Sequence, residues 1–592
     1  MLSVPLLVAL AGFRRDPWTP VLDLAMTELR VRDVGGSHTP LVGLPGRIGS
    51  LAQQGSHPGP LSFYALAPTY RLLGSTAWAL QAATVLVHVV AMGVALVIAR
   101  RRGGRALILA VAVLLAVLLA GYGGGVLTEP WNPYLPLLWW VVVLLGVWSV
   151  LDGDLAMLPV VAVAGSFCGQ THVPYLGLCI GIAALTAGSL ARRWIRTPGD
   201  RGRIRRWSIM TLALGVLLWT PPTIDQARHD PGNYRQLVDH FAHPPEAARG
   251  LGVGVQDGLE HFDVAYLAWA DLQDPGALVR PPSGMQPSAA RGAVLLVLWV
   301  MAAAASWRRR DRVLMALHAV VGASAFLMVL AISRIFGRVW YYLTLWGWVI
   351  GAVAALAVVW SVASLVGDHV RDRWPGVARG APVVLAVLAV ALTTRFTASA
   401  WDSQHADAPV AADLAAVVDE TAAGLDANEG AATGRQGRYL VSWADAFHIG
   451  SQGYGLLNEL ERRGFDVGVD HSARVPATAH RVLDRSHATA RIELATGVNV
   501  ERWRAVPGAV EIVTFDPRSA KGREEQAQLR GEVIATLRRL GLNDLVTEVD
   551  DNLFGVAIDE RVPVATQQQM GRMLEIGAPL SIFVAPVDTP DL

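Results

Sequence analysis

Up to about residue 400, long apolar runs alternate with short arginine-bearing loops; beyond it, apolar and polar positions alternate on a much finer scale. Runs approaching the length that crosses about 30 Å of hydrocarbon fall at 76–99, 106–127, 134–151, 155–170, 173–191, 207–221, 292–307, 313–333, 340–366 and 381–398. Each predicts a membrane helix. Residues 1–13, MLSVPLLVALAGF, add a short apolar stretch that reads as the outer end of a first helix starting upstream, or as a short tilted helix. A cleaved signal peptide suits them less, because the basic n-region is missing. The chain is expected to be an α-helical polytopic membrane domain of about 11 spans over 1–399, followed by a soluble α/β domain over 400–592.

Arginine orients the spans. Arg100, Arg101, Arg102 and Arg105 fill one loop, seven arginines lie between Arg192 and Arg206, and Arg308, Arg309, Arg310 and Arg312 fill a third. Arg371, Arg373 and Arg379 belong to the last. With the spans above these loops share one side, which is then cytoplasmic. The Asp152–Asp154 turn lands there without basic residues of its own. Segments 14–75, 128–135, 170–175, 222–290 and 334–339, and everything after about 399, fall on the outer side.

Composition adds little beyond this. A 53% apolar content with 17% charged residues agrees with a polytopic membrane protein, and a net charge of +1 gives no reason to expect nucleic acid. Cys168 and Cys179 lie in or beside apolar runs, without the spacing of a metal site.

Polar chemistry concentrates in the outer segments. Asp23 to Tyr64 holds Asp23, Glu28, Arg30, Asp33, His38, Arg47 and His57 in an otherwise apolar region. TEPWNPYL carries Glu129 and Asn132 between prolines that exclude helix. GQTHVPY carries His172, TPPTIDQARHDPGNY carries Asp225, and SRIFGRVWYY places Arg334 and Arg338 four apart, as if on one helical face, with Tyr341 following. Every one of these has a structural alternative. Acids cap helices, a histidine before proline closes a turn, and arginines snorkel to headgroups. Their convergence on one membrane face favours a site. Acids there can deprotonate a hydroxyl or hold a cation, and paired arginines suit a departing phosphate. The chemistry suggested is group transfer from a polyprenyl phosphate.

A short first helix, the acids of DLAMTE, HPGPLSFY leading into the next span and the acid-bearing TEPWNPYL loop together resemble the GT-C glycosyltransferases. PLVGLPGRIG, HPGP, PWNPYLP, QTHVPY and PPTIDQ…DPGN are similar to an actinobacterial branch of that superfamily. The resemblance covers about residues 14–345. It implies a multi-pass plasma-membrane enzyme with its C-terminal domain outside the cytoplasm. That enzyme would move a sugar, with inversion, from a polyprenyl-phosphate donor to an envelope glycan or glycolipid; arabinofuranose, mannose, galactofuranose and glucose all fit. It implies Asp23 as the base, with Glu28 as the competing acid, and Glu129 as the second-loop acid that orients the acceptor or binds a metal. Arg334, Arg338 and Tyr341 would hold the donor phosphate. Arg30, His57, Asn132, His172 and Asp225 would line the cavity, and a magnesium, manganese or calcium ion would have Asp23 and Glu129 as candidate ligands. The chain departs from the family pattern at Gly59, where a second proline usually follows HP, and in having no adjacent acid pair in the first loop.

The C-terminal stretch reads as alternating strand and helix: RYLVSWADAF, then GYGLLNELERRG, FDVGVD, AVEIVTF, EEQAQLRGEVIATLRRLG and LSIFVAPV. GSQGYG lacks the dinucleotide-loop order, so acceptor handling is the favoured role for this domain. Two other functions are weighed. A transporter or flippase predicts charges at the bilayer midplane and an internal repeat; here charges sit at span ends and no repeat is obvious. An inactive envelope scaffold is the third.

Overall fold

The computed structural model describes residues 1–15, 18–49, 54–269, 272 and 286–590. Residues 50–53 of the polar segment and most of 270–285 in the fourth outer segment lie outside them. The chain divides into two compact units. One comprises Met1–Arg15, Thr39–Gln273 and Gly284–Gln404, the other Asp16–His38 and His405–Leu592. The polar segment Asp23–Tyr64 is thus divided between the two units at His38.

In the first unit, each of the ten long apolar runs coincides with a helix. Seven helices among the described residues are long and apolar enough to cross a membrane. One of these elements, Ala77–Thr128, is broken by non-helical backbone at Gly103 and Gly104, so it contributes two of the expected spans. Leu137–Leu151 and Leu158–Thr171 have only 15 and 14 residues. At 1.5 Å per residue, each is about 22 Å long or less. Leu137–Leu151 is buried almost all round, including Trp140 and Trp148. Its unbroken apolar run LLWWVVVLLGVW is the mark of an interior helix. Arg201–Arg228 and Ala289–Arg309 instead expose apolar side chains such as Val216, Leu217 and Val294, as lipid-facing helices do. The first stretch forms a nine-residue helix, Val4–Gly12. Asp154 pairs with Arg101 at 2.8 Å and Asp152 pairs with Arg102, so the acidic turn neutralises part of the basic end.

The second unit holds a five-stranded sheet of β1 (Arg438–Ala444), β2 (Asp466–Val469), β3 (Ala490–Thr496), β4 (Val510–Phe515) and β5 (Leu580–Ala585), in the order β2-β1-β3-β5-β4. β1 runs parallel to β2 and β3, while β5 is antiparallel to β3 and β4. β1, the Ser451–Arg462 helix and β2 form the expected βαβ unit. β3, ARIELAT, is absent from the sequence reading. Its charged pair hides a strand buried along its whole length: Arg491 and Glu493 neutralise each other at 2.7 Å. Gly450 and Gly453 also find their reason here. A Cβ on either would fall 2.2–2.3 Å from the Trp443 ring, so these glycines admit an indole rather than a phosphate. The Leu22–Asp33 helix belongs to this unit, with Val21 and Leu29 in its apolar core beside Leu414, Leu456 and Leu460.

Candidate functional site

Five loops of the membrane unit gather at the end opposite its arginine-rich turns. The prolines of 39–60 exclude helix, and the segment folds back on itself through an antiparallel bridge between Pro45 and Ser56. The His57 amide donates to Leu44 O at 2.8 Å and Gly43 N–H donates to His57 O at 3.0 Å. Asn233 clamps this turn, accepting from Ser56 N–H at 2.8 Å and donating to Ser56 O at 3.1 Å. Asp225 braces Asn233 from behind, accepting its backbone N–H at 3.1 Å and lying 2.9 Å from His229. Asp225 therefore supports the cavity loop. Asn233 performs a role that the sequence reading did not assign, although it ends the DPGN stretch.

Three proline-rich motifs depend on one another. Pro222 lies inside the Arg201–Arg228 helix and has no N–H to offer the Leu218 carbonyl one turn back. The Gln170 side chain supplies that donor at 2.9 Å. Gln170 in turn receives the Gly59 N–H on its own carbonyl at 3.1 Å. A Cβ at position 59 would lie 2.1 Å from Gln170 Oε1. The departure from the family's second proline is explained: this chain needs both the amide and the empty space at Gly59.

The imidazole of His57 sits within this frame. Val173 N–H donates to its Nδ1 at 3.1 Å, and its ring centroid is 5.1 Å from that of His172. Burial lowers His57 to about 4. Burial, and then the charge of His57, hold His172 well below the usual histidine range. Gln170 Oε1, Thr171 Oγ1 and His172 Nδ1 are buried without a hydrogen-bond partner among the described residues. Asn132 Nδ2 reaches Thr171 O at 3.5 Å, the outer limit of such a bond.

A second group ties the 129–136 and 334–345 loops together. The Tyr134 and Tyr341 hydroxyls meet at 2.5 Å, and Glu129 acts electrostatically on Tyr134. Trp131 and Trp340 both pack on Tyr342. The Arg47 and Arg338 guanidinium carbons each lie 4.9 Å from the Trp340 ring centre. Arg47, named in the polar segment but given no role from sequence, reaches the same ring as Arg338; its place in a long loop gave no spacing signal. One expectation is corrected here: Arg334 and Arg338 do not share a helical face. The Arg312–Ser333 helix stops before Arg334, and Gly337 takes a left-handed φ of +66°.

Asp23, Glu28 and Arg30 lie in the other unit. Asp23 occupies the first turn of the Leu22–Asp33 helix, where the macrodipole favours a carboxylate. Leu22 before it has φ +43°, a value leucine rarely adopts. Electrostatic interactions link Asp23 to Arg30 and to Tyr454. Glu28 is wholly buried, accepting from Asn458 Nδ2 at 2.8 Å with Arg462 at 3.7 Å. Arg30 donates to the carbonyls of Val475 and Pro476, both at 2.7 Å. Burial, and then Arg481, lower its guanidinium to about 10.

Among the described residues, no three or more His, Cys, Asp or Glu side chains gather as a donor set. Asp23 and Glu129 belong to different units.

No protein-family model and no curated protein matches the chain. Among solved structures, ArnT from Cupriavidus metallidurans bound to undecaprenyl phosphate matches with a TM-score of 0.53 at 14% identity, over 86% of this chain and 95% of that one. AglB from Archaeoglobus fulgidus, an archaeal oligosaccharyltransferase in complex with an inhibitory peptide and a dolichol-phosphate, gives 0.40 at 11% identity, over 84% and 69%. Arabinofuranosyltransferase AftD from Mycobacteria gives 0.36 at 16%, over 87% and 37%. The last two scores are too low to carry weight, and at such identities likeness concerns the fold alone. The chain shares the fold of ArnT: a polytopic helical unit and a smaller α/β unit that takes in Asp16–His38.

Proposed function

We propose that the chain is a plasma-membrane glycosyltransferase of an actinobacterial GT-C branch. In this reading it transfers a sugar from a polyprenyl-phosphate donor to an envelope glycan or glycolipid, on the side opposite its arginine-rich loops. The observation that carries the reading is the paired approach of Arg47 and Arg338 to Trp340, in a loop cluster capping a fold shared with a protein bound to undecaprenyl phosphate. Two guanidiniums beside an aromatic wall at the end of a helical bundle suit a lipid phosphate presented from the bilayer.

The reaction is an inverting displacement. Asp23 takes the acceptor hydroxyl's proton, the acceptor oxygen bonds to the anomeric carbon, and the carbon–oxygen bond to phosphate breaks. The electron pair leaves with the lipid phosphate, whose charge Arg338 and Arg47 hold, with Tyr341 and Arg334 completing the phosphate end. Asp23 is preferred over Glu28 because the buried bonds of Glu28 to Asn458 and Arg462 give it a structural role. His57 lines the cavity, Asn132, His172 and Glu129 line its acceptor side, and the carboxyl-terminal unit handles the acceptor outside the cytoplasm.

Purified protein in nanodiscs, given radiolabelled polyprenyl-phosphate sugars and an envelope extract, is expected to transfer label. Arg338→Ala should lose most of the transfer. Failure with every donor, together with lipid or solute flux in liposomes, would replace this reading with transport.

A further inference from the structure

His57 has an unusually constrained ring. Its Nδ1 is taken by the Val173 N–H at 3.1 Å. Val173 precedes Pro174 and the Pro174–Arg196 helix, so that amide has a fixed direction. A nitrogen that accepts a hydrogen bond carries no proton, so in the neutral ring the hydrogen must sit on Nε2. Protonating Nδ1 would set two N–H groups against each other inside a side chain only 8% exposed. Nε2 has no hydrogen-bond partner among the described residues. It opens beside Gly46, where a Cβ would stand 3.7 Å away, one residue before Arg47.

His172 faces the ring from the 171–174 turn, and Asp225 lies behind Asn233 from the Arg201–Arg228 helix. His240 accepts from Gly49 N–H at 3.2 Å, on the same loop as Arg47. Asp225 is committed to Asn233 and His229, and no carboxylate bonds the imidazole among the described residues. A buried ring with one nitrogen satisfied by backbone and the other beside the Gly46 backbone of the Arg47 loop is built to give a hydrogen bond, not to take a proton.

We infer that His57 is a fixed Nε2–H donor to an anionic oxygen of the lipid phosphate, a positioning residue for the donor rather than a base or a cation. The inference rests on the lipid-phosphate reading above. It predicts a specific pair of variants. His57→Gln places an amide N–H near the Nε2 position, whereas His57→Phe keeps a ring and removes the donor.

The test uses the full chain in nanodiscs, with decaprenyl phosphate and decaprenol as probes and tryptophan fluorescence as the readout, from pH 5.5 to 8.5. Loss of a hydrogen bond to a charged group predicts about tenfold weaker decaprenyl phosphate binding by His57→Phe. His57→Gln should recover most of that loss, and decaprenol binding should stay level across all three proteins. The ratio of wild-type to His57→Phe affinity should also be flat with pH, because the donor stays neutral throughout. A ratio that grows below about pH 6.5, the ordinary histidine range, would make His57 a cation and overturn the inference. So would equal affinities for wild type and His57→Phe, or an equal loss with decaprenol. If the wild type binds neither probe, the lipid-phosphate reading fails first and this inference with it. His57→Phe melting like wild type separates a lost donor from a lost fold.

Discussion

Replacing Gly59 with alanine tests the chain of dependence from Pro222 through Leu218 and Gln170. The added Cβ would lie 2.1 Å from Gln170 Oε1, 2.6 Å from its Cδ and 2.8 Å from its Cγ. Gln170 is fully buried and cannot swing into solvent. To make room it must give up its bond to Leu218 O, leaving a carbonyl that Pro222 cannot serve. Overpacking of this kind costs about 1–3 kcal/mol, and the lost bond adds about 1 kcal/mol. Gly59→Ala should therefore destabilise by about 2–4 kcal/mol. Gly59→Pro should cost about 1 kcal/mol more, because the amide that serves Gln170 O is gone as well. Gln170→Ala alone should also destabilise by about 1–3 kcal/mol, since it orphans Leu218 O. In that background the obstacle to a Cβ at position 59 is absent, so Gly59→Ala should become nearly silent. The assay is a double-mutant cycle on equilibrium unfolding in mixed micelles, with a coupling of about 2–4 kcal/mol expected. Additive effects, or a Gly59→Ala protein as stable as wild type, would refute the linkage.

Three further outcomes are expected from the carboxyl-terminal unit. Arg481 binds Asp33 at 2.8 Å and Glu461 at 2.5 Å while almost wholly buried. Arg481→Met should cost about 3–5 kcal/mol and raise hydrogen exchange along Leu22–Asp33; unchanged exchange would refute it. At Asp33 burial alone would raise the carboxyl, but hydrogen bonds from His480 and Arg481 hold it below its ordinary 3.8. Its contribution is thus present above about pH 4 and lost as pH falls below that, so an acid titration of Asp33→Asn should lack this part of the wild-type slope. Burial, and then Asp516, raise Asp413 to about 7. Because the folded state holds that proton more tightly, stability falls as pH rises from about 4 to 7. Asp413→Asn should therefore be the more stable protein at pH 8 and should match wild type near pH 4; equal melting at pH 8 would contradict it.

The membrane unit was legible because hydrocarbon thickness imposes one length on every span, and arginine punctuates the loops on one side. Helix starts shifted where local chemistry overrode hydropathy. The 134–151 run begins its helix only at Leu137, after three prolines, and the 340–366 run only at Trp346, after a 3-10 turn at Tyr341–Leu343. β3 was illegible because a buried Arg491–Glu493 pair reads as solvent-facing charge. The polar segment misled differently. Asp23, Glu28 and Arg30 precede the first long span in sequence, yet their helix buries Val21 and Leu29 against residues some 400 positions away. Nothing local encodes that partnership. Within the site, the His57, Asn132, His172 and Glu129 motifs were visible as proline-bounded polar islands. Arg47 and Asn233 act through geometry that only the folded loops create.

The central claim is tested most directly by transfer of labelled sugar from a polyprenyl-phosphate donor by the purified full chain, with Asp23→Asn beside wild type. Wild type is expected to place label on the envelope acceptor, and Asp23→Asn to lose at least about a hundredfold at unchanged melting temperature. Undiminished transfer by Asp23→Asn would remove the base assignment. No transfer by wild type from any polyprenyl-phosphate sugar would contradict the account itself.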